Sequence, residues 1–201
     1  MKGMLVIVSG PSGSGKGTVV KRLVGKNYAL SVSVTTRLPR AGEIDGRDYF
    51  FRTPREFAYM RDHNELLEHA VYVNYFYGTP RKYVEEQISD GKAVVLEIEV
   101  NGALQIREKF PEAVLIFLMP PTMEELYHRL ILRNTENMEV LEDRFKRAHE
   151  EIKLIPRYDY LVINDVVQNA VTRINKIVDA ESLRPARNAN IINAFKEQSK
   201  C

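Results

Sequence analysis

A single cysteine, the final residue Cys201, gives the chain no intramolecular disulfide and no cysteine cluster for a metal. Any metal is therefore expected on oxygen ligands. Histidine is nearly as scarce: His63, His69, His128 and His149 show no paired H-x-x-x-H spacing, so they read as surface or core residues rather than ligands or catalysts. No apolar run is long enough to cross a bilayer, and the opening "MKGMLVIVSG" lacks a signal-peptide pattern. A cytoplasmic location without a membrane partner is the expectation. Nor does one sign of charge dominate. Lys and Arg number 29 against 27 Asp and Glu, a net +2, which argues against a bulk nucleic-acid binder. Internal repeats and low-complexity segments are absent as well.

What is present is an ordinary globular composition, 44% apolar and 28% charged over 201 residues, enough for one hydrophobic core with insertions. Four apolar runs stand out: "MLVIVS" (4–9), "AVVLEI" (93–98), "AVLIFLM" (113–119) and "YLVIN" (160–164). Their apolarity is continuous rather than alternating, as in strands buried on both faces, so an α/β fold with a parallel sheet and helices on both faces is expected. The run "ALSVSV" (29–34) is a further strand candidate. Thr53-Pro54-Arg55-Glu56 and Thr122-Met123-Glu124-Glu125 read as capping boxes, and Thr79-Pro80 opens another helix ending near Gly91. A last helix, roughly 166 to 183, carries Val167, Val171, Ile174, Ile177 and Val178 at helical spacing; beyond it the tail could form a short amphipathic helix with Ile191, Ile192 and Phe195.

Directly after the first run comes "GPSGSGKGT", Gly10, Pro11, Ser12, Gly13, Ser14, Gly15, Lys16, Gly17 and Thr18. This is the G-x-x-x-x-G-K pattern of a phosphate-cradling loop between a strand and a helix. Its glycines let successive N–H groups converge on an anion, Lys16 adds a charge to the outer phosphates, and a helix from Gly17 to about Val24 is expected to begin there. The residue after Lys16 is Gly17, and the hydroxyl arrives one position late at Thr18. A phosphate loop alone does not distinguish a kinase from a GTPase or a transport ATPase.

The insertions narrow the choice. "SVSVTTRLPRAGEIDGRDYFF" (31–51) sets Arg37 and Arg40 about a proline and then Tyr49, a plausible clamp for a second phosphate because each guanidinium can bind oxygens bidentately. "LLEHAVYVNYFYGTP" (66–80) follows with Glu68, Tyr77, Gly78 and Thr79. "VVLEIEVNG" places Glu97 and Glu99 on one face at the carboxyl end of a buried strand, where ligands sit in open α/β sheets. Between 127 and 157 the chain becomes a charged, arginine-rich helical stretch.

With these segments in family order, together with "YGTP", "LEIEVNGA" and the R-x-T-E segment at Arg133-Asn134-Thr135-Glu136, the chain resembles the bacterial guanylate kinases from Met4 to about Leu183. The resemblance implies a P-loop NTPase fold with a core at 1–34, 82–125 and 156–201, a small lobe binding the nucleoside monophosphate at 35–81, and a helical lid at 126–155. It implies that Arg37, Arg40, Tyr49 and Tyr77 hold the GMP phosphate, that Ser33, Glu68 and Thr79 read guanine, and that Gly78 and Glu97 line the same site. Arg129, Arg133 and Arg144 match the lid positions that neutralise the transferring group, alongside Lys16 and Arg37. Asn164, with Asp165, falls on the adenine side.

The implied reaction is ATP with GMP giving ADP and GDP, with dGMP as a second acceptor, in purine nucleotide metabolism, with Mg²⁺ carried as MgATP and touched by Thr18 and Glu97, chiefly through water. An ionised Glu68 would accept from the ring N–H and the adjacent exocyclic amine of guanine, whereas adenine presents an acceptor at the ring position. Two other readings are a related P-loop kinase with a different acceptor, against which Glu68, Ser33 and Thr79 speak, and a non-catalytic scaffold module that binds phosphorylated peptides. The intact loop glycines and Lys16 speak against the second. Whether the chain is a monomer or a homo-oligomer is not legible.

Overall fold

The structure, a computed structural model, describes residues 3–23, 25, 27–72, 74–132 and 138–198. Nine strands are described: β1 (Met4–Ser9), β2 (Tyr28–Leu30), β3 (Val34–Thr35), β4 (Phe50–Phe51), β5 (Leu66–Tyr72), β6 (Tyr75–Pro80), β7 (Ala93–Glu97), β8 (Val114–Met119) and β9 (Tyr160–Ile163). The helices among the described residues are α1 (Lys16–Val20), α2 (Pro54–Asp62), α3 (Arg81–Ser89), α4 (Val100–Lys109), α5 (Met123–Leu132), α6 (Met138–Ile152), α7 (Val167–Ser182) and α8 (Ala189–Gln198).

The four apolar runs become the centre of one parallel sheet, in the order β2-β7-β1-β8-β9. β1 lies in the middle, with Val6 beside Val95 of β7 and Val114 of β8. Because the strands run parallel, their carboxyl ends share one edge, and the chain leaves β1 at the point where the strand order reverses direction. Ligands of open α/β sheets bind at this kind of crevice. Alternate residues of β1 serve opposite layers. Val6 and Val8 pack with Val19, Leu23, Ala170, Val171, Ile174 and Val178, from α1 and its following turn and from α7; Leu5 and Ile7 pack with Val84 of α3 and Ala103 and Ile106 of α4. Both faces are covered, which explains the continuous apolarity of these strands.

A second, mixed sheet in the order β4-β3-β6-β5 holds the first insertion. Its own small core is Val34, Phe57 and Leu66, with α2 across it. The second insertion is helical: α5 and α6 bury Leu126, Leu130, Leu141 and Ala148 between them.

Four local expectations need correction. The 29–34 run does not form one strand: Tyr28–Leu30 pairs with β7, whereas Val34–Thr35 pairs with β4 and β6 in the second sheet. The helix after the phosphate loop stops at Val20, because Arg22 and Leu23 bond back to the carbonyls three residues earlier and tighten the turn. The Thr53 box closes in both directions, but the Thr122 box closes only by Glu125 N–H donating to Thr122 Oγ1 at 3.1 Å, since the Glu125 carboxylate accepts from Arg129 Nε at 2.7 Å. Thr79 does not cap α3; its hydroxyl turns to Glu68.

Candidate active site

The phosphate loop leaves β1 through Gly10, whose φ of 144° belongs to glycine and whose missing side chain lets the chain pass against the Leu118 carbonyl; an alanine methyl would collide with that oxygen. Lys16 is buried, 8% exposed, and its ammonium donates to the carbonyls of Gly10 at 2.6 Å and Pro11 at 3.2 Å. The loop is braced from β9's end. Asn164, 2% exposed, donates from Nδ2 to the Ser14 carbonyl at 2.8 Å, and its own N–H bonds to Met119 at 2.8 Å.

Beside the loop opens a pocket of about 310 Å³, with Gly15 and Thr18 on one side and Arg129, Leu132, Asn164 and Asp165 on the other. Arg129 of α5 is held by Glu125 and by the Asn164 carbonyl, 3.1 Å from Nη2. Asp165 accepts from Arg173 at 2.9 Å, and the Val166 N–H with that guanidinium holds its carboxyl down at about 2. Arg144 is half-buried on α6. Arg133, with Asn134, Thr135 and Glu136, lies outside the described residues.

On the other side of the loop, Glu97 ends β7. A methyl added at Gly17 would stand 3.2 Å from both Glu97 oxygens, so the bare position after Lys16 is what gives this carboxylate its room. Thr18 lines the pocket with Asn164, whereas Glu97 stands over Gly17. Glu99 occupies the N-cap position of α4 without a side-chain cap bond. It raises the pKa of Glu151, near the end of α6: burial first and then the Glu99 charge push Glu151 up to about 7, against the pull of Lys16 and Arg147.

Across the crevice, the second sheet presents Arg37, Tyr49, Tyr77 and Glu68. Arg37 donates to Glu43 at 2.9 Å and to the Leu38 carbonyl at 2.6 Å, and its guanidinium lies 5.4 Å from the Tyr49 ring centroid. Hydrogen bonds to Glu43 and Tyr77 hold its pKa up. Tyr49 and Tyr77 meet edge to face at 6.0 Å; burial, with the Glu97 charge adding, pushes the Tyr49 phenol up to about 12, so it stays a proton donor. The Arg40 side chain is exposed, and its backbone N–H joins Glu43 at 2.7 Å. Ser33 is half-buried between β2 and β3.

Glu68 is the most deeply set carboxylate of the crevice. It is 3% exposed, accepts from Thr79 Oγ1 at 2.7 Å, and is pushed up to about 7 by burial, with the Thr79 bond and the Lys109 charge opposing. Gly78 fits where a side chain would press on Leu66, the Glu68 carbonyl and Phe57.

A family model described as guanylate kinase matches residues 2–181. The chain belongs to the guanylate kinase family. It is 46% identical over 200 residues to a guanylate kinase of Caldanaerobacter subterraneus subsp. tengcongensis, covering 98% of this chain and 97% of that one. It is 50% identical over 189 residues to the guanylate kinase of Bacillus subtilis, covering 92% and 93%. A crystal structure of guanylate kinase from Anaplasma phagocytophilum superposes with a TM-score of 0.77 at 35% identity, over 92% of this chain and 89% of that one.

Three contributors to the site escaped sequence reasoning. Glu125 sits four residues before Arg129, so i,i+4 spacing could have found it. Glu43 sits in an irregular loop with no periodic signal, and Glu151 lies about fifty residues from Glu99. Only the fold brings those partners together. Among the described residues no helix is long and apolar enough to cross a membrane, and no group of three or more His, Cys, Asp or Glu is placed to hold a metal.

Proposed function

We propose that this chain transfers the γ-phosphoryl group of ATP to GMP, and to dGMP, giving ADP with GDP or dGDP reversibly. The observation that carries the reading is Glu68: a carboxylate buried to 3% exposure, pinned by Thr79, across the crevice from an intact phosphate loop. Guanine supplies two adjacent N–H donors for such a group. A base that leaves it unpaired forfeits on the order of 1–3 kcal/mol or more.

ATP takes the loop Gly10–Thr18 and the pocket bounded by Arg129, Asn164 and Asp165, and GMP takes the second sheet. Ser33, Glu68, Gly78 and Thr79 surround its base; Arg37, Arg40, Tyr49 and Tyr77 surround its phosphate. Residues 35–81 form the acceptor lobe, 126–155 the lid, and the remainder the core. No general base is required, because a phosphate monoester with a second pKa of about 6 already offers an anionic oxygen near neutral pH. The protein's work is to align two polyanions and neutralise charge on the group in flight.

Cations for that work are held by nearby oxygens: Lys16 by Gly10 and Pro11, Arg37 by Glu43, Arg129 by Glu125. Arriving phosphates exchange for these partners. Arg133 and Arg144 complete the set from the lid. The oxygens near Gly17 suit Mg²⁺, which keeps most of its shell as water and phosphate and takes one or two carboxylates. Glu97, and Thr18 through water, would hold it, and the ion would supply charge neutralisation between the phosphates. Closure of lobe and lid excludes water, which would otherwise hydrolyse ATP.

The test is ADP formation from ATP and Mg²⁺ with GMP, dGMP, AMP, UMP or no acceptor at matched concentrations. Activity confined to GMP and dGMP is the expected result. Equal activity with AMP would overturn the role of Glu68, and nucleotide binding without transfer to any acceptor would overturn the reaction.

A further inference from the structure

Gly102 is a buried glycine in the first turn of α4, with a backbone that is not among the positive-φ glycines. Glycine weakens a helix, and here no special dihedral demands it. Space does. A methyl at Gly102 would lie 2.6 Å from Glu68 Oε2 and 3.2 Å from its carboxyl carbon, while the next neighbour, Ile98, stands at an ordinary 3.5 Å. The other Glu68 oxygen accepts from Thr79 at 2.7 Å. The carboxyl group therefore lies between one hydroxyl and one bare patch of helix.

The same face of α4 grips the strand on both sides of Glu68. Gln105, one turn on, donates from Nε2 to the His69 carbonyl at 2.9 Å and accepts from the His69 N–H at 3.4 Å. Lys109, a further turn along, donates to the Leu67 carbonyl at 3.0 Å. β5 is the edge strand of its sheet, and positions 102, 105 and 109 of α4 fill that edge residue by residue at Glu68, His69 and Leu67. Edge strands usually present free N–H and C=O groups; this one is bound to the core helix that springs from the Glu97–Glu99 turn.

We propose that Gly102 is a specificity-determining residue for the acceptor base: its bare surface is the wall that sets the depth of the Glu68 carboxylate, with Gln105 holding the adjoining backbone as a positioning residue. The proposal rests on the reading of Glu68 as the guanine acceptor. Both carboxylate oxygens are needed for guanine, whose ring N–H and 2-amino group lie side by side. Hypoxanthine lacks the amino group and needs only one. A methyl at position 102 displaces Oε2, a mobile end that the fold can move, and so strikes the discrimination between the two bases while sparing the architecture.

The experiment measures kcat and KM for GMP, for inosine monophosphate and for ATP in Gly102→Ala, Gln105→Ala, Glu68→Gln and the double variant Gly102→Ala with Glu68→Asp. Gly102→Ala is expected to raise KM for GMP tenfold or more, narrow the GMP preference over inosine monophosphate by a similar factor, and leave KM for ATP within twofold. The double variant regains part of that preference, because aspartate is one methylene shorter and clears the methyl. Unchanged GMP parameters in Gly102→Ala, with Glu68→Gln impaired, overturn the inference alone. Unchanged GMP preference in Glu68→Gln overturns the reading of Glu68 beneath it. Should Gly102→Ala not fold, Gln105→Ala decides: a raised KM for GMP with KM for ATP unmoved supports the proposal, and parallel changes in both overturn it.

Discussion

Replacing Glu68 with Gln should stabilise the free protein, and by an amount that depends on pH. The Glu68 carboxyl is lifted from an ordinary 4.5 to about 7, chiefly by burial. Below pH 4.5 it is protonated in the folded and the unfolded chain alike and contributes nothing. Between 4.5 and 7 the unfolded chain releases a proton that the folded chain keeps, so stability falls as pH rises; above 7 the full penalty is present. At about 1.4 kcal/mol per tenfold change in proton affinity, that penalty is about 3 kcal/mol. Glutamine carries none of it. Whatever Glu68→Gln costs through an amide group seeking a partner is the same at every pH and cancels between conditions. The gain over wild type should therefore be about 2–3 kcal/mol larger at pH 8 than at pH 5, a relative shift of about 1 M in the urea midpoint. Glu151, also raised to about 7, is present in both proteins and drops out of the difference. Urea unfolding without nucleotide at the two pH values is the assay. Stability curves that run parallel with pH would refute the argument that a buried, ionisable acceptor is maintained at the expense of the fold.

Three further outcomes follow from the same geometry. GMP binding that requires an ionised Glu68 should release a proton and weaken about tenfold per pH unit below 7, a dependence that Glu68→Gln loses once the titration of the GMP phosphate is subtracted; calorimetry in buffers of different ionisation heat reads it. Lys16→Met removes the ammonium now held at 2.6 Å by Gly10, and should lower turnover on the order of 10³-fold with the far-ultraviolet dichroism unchanged; near-normal turnover would take Lys16 out of the mechanism. Gly17→Ala brings a methyl to 3.2 Å from both Glu97 oxygens, so the magnesium concentration for half-maximal activity should rise several-fold while KM for GMP moves less, and an unaltered magnesium titration would detach Glu97 from the metal.

The sequence by itself determined the elements whose causes are local or periodic. Continuous apolar runs specified the central parallel strands, the glycine spacing and Lys16 specified the phosphate loop, and the Thr53 box and the Val171–Ile174–Val178 stripe specified helices. In each case the residues that make the element are near one another in the chain. Only the tertiary structure decided where the 29–34 run divides between two sheets, because a short apolar run takes the partner that the rest of the fold offers. It also decided that Glu43 occupies Arg37, that Glu97 uses the space Gly17 leaves, and that Glu68 lies against Gly102. Those contacts join residues that have no fixed spacing, or depend on the absence of a side chain. A missing Cβ gains its meaning from what stands opposite it, and that is set by packing.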